Sequence, residues 1–447
     1  MSSLPSYTTT LHYLYEQLPM FSKTGKDAIK KDLTNIRKLC EALDNPQTAF
    51  KTLHIAGTNG KGSTSHLLAA VLQNNGYKTG LYTSPHLVDF RERFRIDGAM
   101  VREDWVVNFV NQNRTLIETI NPSFFEVTVA MAFKAFAEAN VDVAVVETGL
   151  GGRLDSTNIV TPILSIITNI SYDHQDVLGM TLPEIAREKA GIIKPNIPVL
   201  IGEEQPETER VFLEAAMRNS SKIYYAQPVW DLVKINQTNQ YQFFKAIQRA
   251  HRDIHDLKTD LLGNYQQHNI RTVLAAVELL DTTSLLKIDF AKAIAAMSTV
   301  KKLTGLRGRW DVLNETPFIV ADVAHNPAGV EEVMRQWYNI PAAHKKTVVG
   351  FVKDKDVKKA LAQFPEDNEY YFCNAAIPRA LPANELKEIA TSLGLQGNAY
   401  DSVKEAVSAA RKDLQQEDAL LITGSFFIVG EAIQALETAM QSADISL

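Results

Sequence analysis

Lys51-Thr52-Leu53-His54-Ile55-Ala56-Gly57-Thr58-Asn59-Gly60-Lys61-Gly62-Ser63-Thr64 is the stretch from which this chain is best read. Residues 51–55 carry β-branched and apolar side chains into a glycine and predict a short buried strand. Beyond the loop, Leu67, Leu68, Val71 and Leu72 recur at helical spacing as far as Asn75-Gly76, a helix stop. Strand, glycine-rich turn and helix are the context of a phosphate-binding loop. Glycines let backbone amides converge on an anion, and the helix N-terminus adds partial positive charge. Lys61 is then placed to reach the outer phosphates of a nucleotide, and the hydroxyl of Ser63 or Thr64 to stand near magnesium. The spacing departs from G-x-x-x-x-G-K-[ST], because Gly62 separates Lys61 from Ser63. A tight turn that holds no ligand is the alternative. Three glycines, a lysine and two hydroxyls in this context favour ATP.

At 447 residues the chain has room for two or three domains. Its 45% hydrophobic and 22% charged content are those of a soluble globular protein. A net charge of −6 gives no general basic footprint, so no nucleic-acid partner is expected and anionic substrates must meet local clusters. Cys40 and Cys373 read as buried thiols, and no Cys/His set has zinc-finger spacing. Residues 1–19 lack the basic and apolar regions of a signal peptide, and no apolar run reaches the ~20 residues of a membrane span. The expectation is a cytoplasmic protein.

Along the chain, residues 7–43 show helical periodicity, with a loop at 23–26 and apolar Ile29, Leu33, Ile36, Leu39 and Leu43 in register. A second strand at 78–83 leads into the 84–98 stretch, which begins Ser84-Pro85 and reads as a long loop ending in a strand with Arg93 and Arg95 on one face. Either this is a solvated basic edge or it is functional, as long loops beside nucleotide folds often are. Helices are expected at 102–120 and 122–139. The run at 141–147 is apolar throughout, as buried parallel strands are, and ends in Glu147. An acidic side chain at such a strand end lies where open α/β sheets bind ligands, so Glu147 is a candidate metal or phosphate-side carboxylate; the alternative is a cap over a tight turn.

Another strand, 162–169, ends near Asp173 and His174, and His174 is either structural or a metal ligand. Thr181 and Glu184 form a capping box for a helix that contains Lys189 and stops at Gly191. Residues 229–260 read as short polar strands, with a hairpin on the domain edge as one arrangement, and carry no chemistry. Asn264 is read as the N-cap of a helix reaching Leu280, with the amides of Gln266 and Asn269 exposed to read an adenine edge. Residues 301–310 hold Lys301, Lys302, Arg307 and Arg309 in a glycine-bearing turn, where the domain boundary is placed. From Pro317 the α/β alternation restarts, with strands at 318–322, 346–351, 370–373 and 419–423. This is a smaller doubly wound domain of about 150 residues.

The segments 56–64, 83–87, 147–158, 173–174, 188–194, 322–327 and 424–431, in this order and spacing, resemble the folylpolyglutamate synthase/dihydrofolate synthase branch of the Mur ligase family over residues 8–435. The resemblance implies an α/β, Mur-ligase-like fold. Residues 1–300 would form a P-loop ATPase-type domain with a parallel-rich sheet, and residues 301–447 a smaller Rossmann-like domain. It implies an ATP-dependent ligase that joins L-glutamate to dihydropteroate or a reduced folate through an acyl phosphate, with Mg2+ and as a monomer. Gly57, Thr58, Asn59, Gly60, Lys61, Gly62, Ser63 and Thr64 would hold the ATP phosphates. Asn264, Arg309, Asp322 and His325 would hold adenine, the γ-phosphate and the ribose side across the domain interface.

Ser84, Glu147 and His174, with the Ser63 hydroxyl, resemble the magnesium ligands, and Lys189 matches the lysine that is carbamylated in this family. Lys61, Lys189, His174 and Arg309 are the implied catalytic groups. In the 84–98 loop, Leu87, Val88 and Phe90 would cover the acceptor's flat ring, and Arg91 and Arg93 would meet its acidic tail. The chain departs from the family pattern at Tyr265, where histidine is usual, and at Val323, where glycine is usual. Other readings are a peptidoglycan-type Mur ligase, disfavoured because no nucleotide-sugar domain precedes the loop, a P-loop kinase or NTPase, and a non-enzymatic binding module.

Overall fold

The strand ahead of the glycine loop is β1 (Lys51–Ala56), and five of its six residues are buried, as its apolar run demands. The computed structural model describes residues 4–20 and 32–444; the expected loop at 23–26 and Ile29 lie outside the described residues. The further strands of the same sheet are β2 (Thr79–Tyr82), β3 (Phe94–Ile96), β4 (Ala99–Met100), β5 (Val143–Glu147), β6 (Leu164–Ile167), β7 (Val199–Ile201) and β8 (Ile223–Tyr225). Their order is β4-β3-β2-β5-β1-β6-β7-β8. Pairing is parallel from β2 to β8, and only β3 and β4 run antiparallel at one edge. Register sets Ile55 beside Glu147 and Ala56 beside Ile167. The glycine loop therefore leaves the sheet centre with the end of β5 on one side and the end of β6 on the other.

Helix Lys61–Asn74 is buried from Gly62 to Leu72, because both of its faces are covered. One packs on the sheet. The other meets helices Gln266–Thr282 and Phe290–Ala296, which in turn pack on a three-stranded antiparallel sheet of β9 (Trp230–Gln237), β10 (Gln242–Gln248) and β11 (Ile254–Thr259). A helix buried all round needs this double cover. The 229–260 region is thus no edge hairpin: Trp230, Phe244 and Leu257 belong to the main core. Helices Tyr7–Gln17, Thr34–Ala42, Glu103–Ile120 and Phe124–Glu138 cover the opposite sheet face. The capping box read at Thr181 and Glu184 is formed at the start of helix Leu182–Lys189.

The second sheet contains β12 (Asp311–Glu315), β13 (Phe318–Asp322), β14 (Lys345–Val349), β15 (Glu369–Cys373), β16 (Gln396–Tyr400) and β17 (Ala419–Thr423), in the order β12-β13-β17-β14-β15-β16. All but β12 are parallel. Helices Pro327–Trp337 and Ala383–Thr391 border one core cluster, and Val403–Lys412 and Phe426–Asp444 the other.

Two further expectations need correction. Arg93 and Arg95 do not share a face: Arg93 ends a 3₁₀ turn and lies over the Phe124 ring, whereas Arg95 reaches Gly305 on the other side. Asn264 is not an N-cap, since helix Gln266–Thr282 begins after Tyr265 without a side-chain cap and the Asn264 amide oxygen accepts from Lys234 Nζ at 2.6 Å. The edge strands β4, β12 and β16 were not legible as strands.

Candidate active site

The strand ends of both sheets open into one cavity of about 1380 Å³. It is lined by residues 57–63, Ser84, Glu147, His174 and Lys189 from the first sheet's side, and by Arg309, Asp322 and His325 from the second. Thr64, fully buried in the first helical turn, and Asn264 do not line it.

Local packing shapes the glycine loop. Gly57 has φ +151°, and a side chain there would overlap the Thr168 hydroxyl, which donates to the Asn59 carbonyl at 2.6 Å. Gly60 has φ +82° and lies against the Asn269 amide oxygen. Glycine alone tolerates both positions. Lys61 Nζ folds back to donate to the Thr58 carbonyl at 3.0 Å. Burial lowers its ammonium, while Glu147 and Asp173 pull it back up.

Glu147 is 4% exposed and accepts from the Ser84 backbone amide at 3.1 Å. A Cβ on Gly62 would stand 3.8 Å from both Glu147 oxygens and 3.4 Å from Arg309 Nη2. The carboxylate, the first turn of the loop helix and the second domain's guanidinium therefore meet at one point. Burial raises the Glu147 carboxyl, and Lys61, the Ser84 amide and Arg309 oppose that rise. Arg309 lies over the Phe426 ring, 4.8 Å from its centroid, which fixes its plane.

Lys189 is 3% exposed and donates from Nζ to the Gly57 carbonyl at 2.8 Å. Burial first, then the nearby Lys61 charge, lowers its amine to about 7. His174 sits in the left-handed region with φ +49°, and its Nε2 lies 3.2 Å from Lys355 Nζ. Burial lowers His174 to about 3, against the pull of Asp173. Among the described residues no three His, Cys, Asp or Glu side chains converge as a ready-made metal cluster. The oxygen donors do fit a hard divalent cation: the Glu147 carboxylate and the Ser63 and Ser84 hydroxyls are of the type magnesium and manganese take.

Several functional contacts had no sequence signal. Asp173 accepts from Lys355 Nζ at 2.5 Å and from Asn326 Nδ2 at 3.2 Å, and lies 3.4 Å from His325 Nε2. Burial alone would raise this carboxyl, but His174, Lys355 and His325 around it hold it well below its ordinary value. Asn59 and Asn326 exchange amide hydrogen bonds of 2.9 and 3.2 Å, so the glycine loop is clasped by the second domain. Asp322 accepts from Tyr265 Oη at 2.5 Å and from the backbone amides of Trp310 and Ala324. Gln266 and Asn269 are buried; Gln266 Nε2 donates to Ser63 Oγ at 3.1 Å.

The 84–98 loop also differs from expectation. Phe90 is 1% exposed and packs edge-to-face in the core against Tyr15, Phe94 and Phe124, and Arg91 is paired with Asp89. Val88 packs on the second domain's core away from the cavity, whereas Leu87 packs there and also lines the cavity. Of the loop's arginines expected to meet the acceptor, Arg93 lines the cavity, beside Tyr15, Phe124 and Phe125.

Residues 55–277 match the Mur ligase middle domain, and residues 308–426 the glutamate ligase domain of Mur ligases. The chain is 31% identical to folylpolyglutamate synthase of Lacticaseibacillus casei, over 96% of this chain and 99% of that one. It superposes on Escherichia coli FolC in complex with DHPP and ADP with a TM-score of 0.83 at 29% identity, covering 98% of this chain and 100% of the other. A bifunctional folylpolyglutamate synthase/dihydrofolate synthase from Yersinia pestis, complexed with AMPPNP and a Mn ion, gives 0.81 at 28%, covering 98% and 100%. The two domain matches and the near-full-length superpositions agree with one another. The chain belongs to the Mur ligase family, in its folylpolyglutamate synthase/dihydrofolate synthase branch of ATP-dependent ligases.

Proposed function

We propose that this cavity uses ATP to join L-glutamate to dihydropteroate, to folate glutamates, or to both. The observation that carries the reading is the meeting of the glycine loop, Glu147 and Arg309 in one cavity. The acceptor's carboxylate oxygen attacks the γ-phosphorus of ATP, forming an acyl phosphate and releasing ADP. Lys61 and Arg309 neutralise the charge that develops on the transferred phosphoryl group. The glutamate amine then attacks the acyl carbon, and phosphate leaves. No enzyme nucleophile is needed; positioning and electrostatics suffice. The second domain shields the acyl phosphate from water, and the Asn59–Asn326 and Asp173–Lys355 contacts hold it there.

Glu147, Ser63, Ser84 and His174 would hold a divalent cation, which would neutralise phosphate charge when bound. We assign Lys189 to the same cation group as a carbamate, because a buried amine lowered to about 7 is available in its neutral form to add to CO2 with release of one proton. The aromatic end of the cavity, with Tyr15, Phe124 and Phe125 beside Arg93, suits a flat acceptor ring. From the second domain Lys355, paired with Asp173, Arg379, paired with Asp354, and Ser425 also line the cavity and suit a dicarboxylate amino acid. We place the domain division at residues 300/301 and read the protein as a cytoplasmic monomer that does not bind nucleic acid. No helix among the described residues is long and apolar enough to cross a membrane.

ADP release measured with glutamate and either dihydropteroate or tetrahydrofolate assigns the acceptor. Turnover is expected with at least one of the two and none without glutamate; glutamate-independent hydrolysis at the same rate would defeat the proposal.

A further inference from the structure

Residues 262–269 touch both halves of the molecule within eight positions. Leu262 is 2% exposed and packs in the second domain's core with Trp310, Val330 and Trp337. Gln336, on helix Pro327–Trp337, grips the same stretch twice: its Oε1 accepts from the Asn264 amide at 2.7 Å, and its Nε2 donates to the Leu262 carbonyl at 2.9 Å. Tyr265 Oη then donates to Asp322 at 2.5 Å. One residue later the chain faces the other way. Gln266, fully buried, donates from Nε2 to Ser63 Oγ at 3.1 Å and accepts at Oε1 from Asn269 Nδ2 at 2.8 Å. Asn269 in turn rests against Gly60 of the loop.

We propose that Gln266 is a positioning residue for Ser63, and that the Tyr265–Asp322 bond holds Gln266 in place, so the seating of the second domain is transmitted to the phosphate loop through residues 262–269. A hydroxyl that accepts from Gln266 cannot also donate to it, so the Ser63 proton is directed elsewhere and its rotamer is fixed. Tyr265 and Gln266 are adjacent at a helix start, and a shift of one moves the other. The inference rests on residues 57–63 being the phosphate site.

The test is calorimetric titration of Mg2+ and ADP into the full-length wild type, Gln266→Leu, Tyr265→Phe and the double variant, with the Michaelis constant for the folate acceptor measured on each. Wild type is expected to bind. Gln266→Leu should bind about tenfold more weakly. Tyr265→Phe should show a smaller loss, and the double variant should be no weaker than Gln266→Leu, while the acceptor constant stays put. Wild-type affinity in Gln266→Leu, multiplied losses in the double variant, or an acceptor constant that rises in parallel would each overturn the relay. Absence of ADP binding to wild type would instead bring down the phosphate-site reading itself. Tyr265→Phe removes a single oxygen and keeps the question answerable should Gln266→Leu not fold.

Discussion

Lys189 stands where an unmodified lysine is costly: buried, with one hydrogen bond to a carbonyl and the Lys61 charge nearby. Carbamylation would turn that cation into an anion suited to a divalent metal. Lys189→Ala is therefore expected to lower turnover by orders of magnitude, and formate or acetate should restore part of it by filling the vacated space. Near-normal turnover in the alanine variant would reduce Lys189 to a packing residue. Residues differed widely in how visible they were. Lys61 could be read from its own neighbours, because glycines and hydroxyls around it leave few other uses. Lys189 carried no local signal and was assigned only through resemblance. Asp173 and Lys355, 182 positions apart, gave no sign of pairing at all.

At the scale of elements, strands buried on both faces were legible because a short, nearly uninterrupted apolar run between turn residues must be covered from both sides; β5 and β17 are of this kind. The edge strand β16, Gln396-Gly397-Asn398-Ala399-Tyr400, was not, because one-sided burial leaves no such run. Buried histidines tie two of these elements to pH. His54 on β1 is fully buried and His66 on helix Lys61–Asn74 is 6% exposed, and burial lowers each to about 3. Between about pH 3 and 6.5 the unfolded chain binds protons that the folded chain refuses. Stability is thus complete above the unfolded value and falls as pH drops through this window, by at most about 1.4 kcal/mol per unit for each histidine. His66→Asn, which keeps a group for the Thr304 hydroxyl, should shrink the stability difference between pH 7 and pH 5 by up to about 2 kcal/mol in denaturant unfolding. An unchanged difference would show that His66 does not carry this term.

The whole molecule works as two sheets that bring their strand ends to one cavity. Each half could be recognised alone, but the clasp between them could not. Asn59 with Asn326 and Asp173 with Lys355 are contacts of polar side chains whose proximity only the assembled fold creates. Arg309 is the second domain's reach to Gly62 and Glu147, where we propose the phosphates lie. Arg309→Ala should weaken ATP binding by about 1.5–3 kcal/mol, the worth of a charge-assisted contact, and lower turnover with it. Unchanged affinity and turnover would mean that the second domain does not act on the nucleotide.

The central claim, that the acceptor's carboxylate is activated by direct attack on the γ-phosphorus, is tested by isotope transfer. The acceptor is supplied with 18O in both oxygens of its reacting carboxylate, and the phosphate released during ligation is analysed by mass. An acyl phosphate places one labelled oxygen in each phosphate for every amide formed. Amide formation that releases unlabelled phosphate would contradict the account.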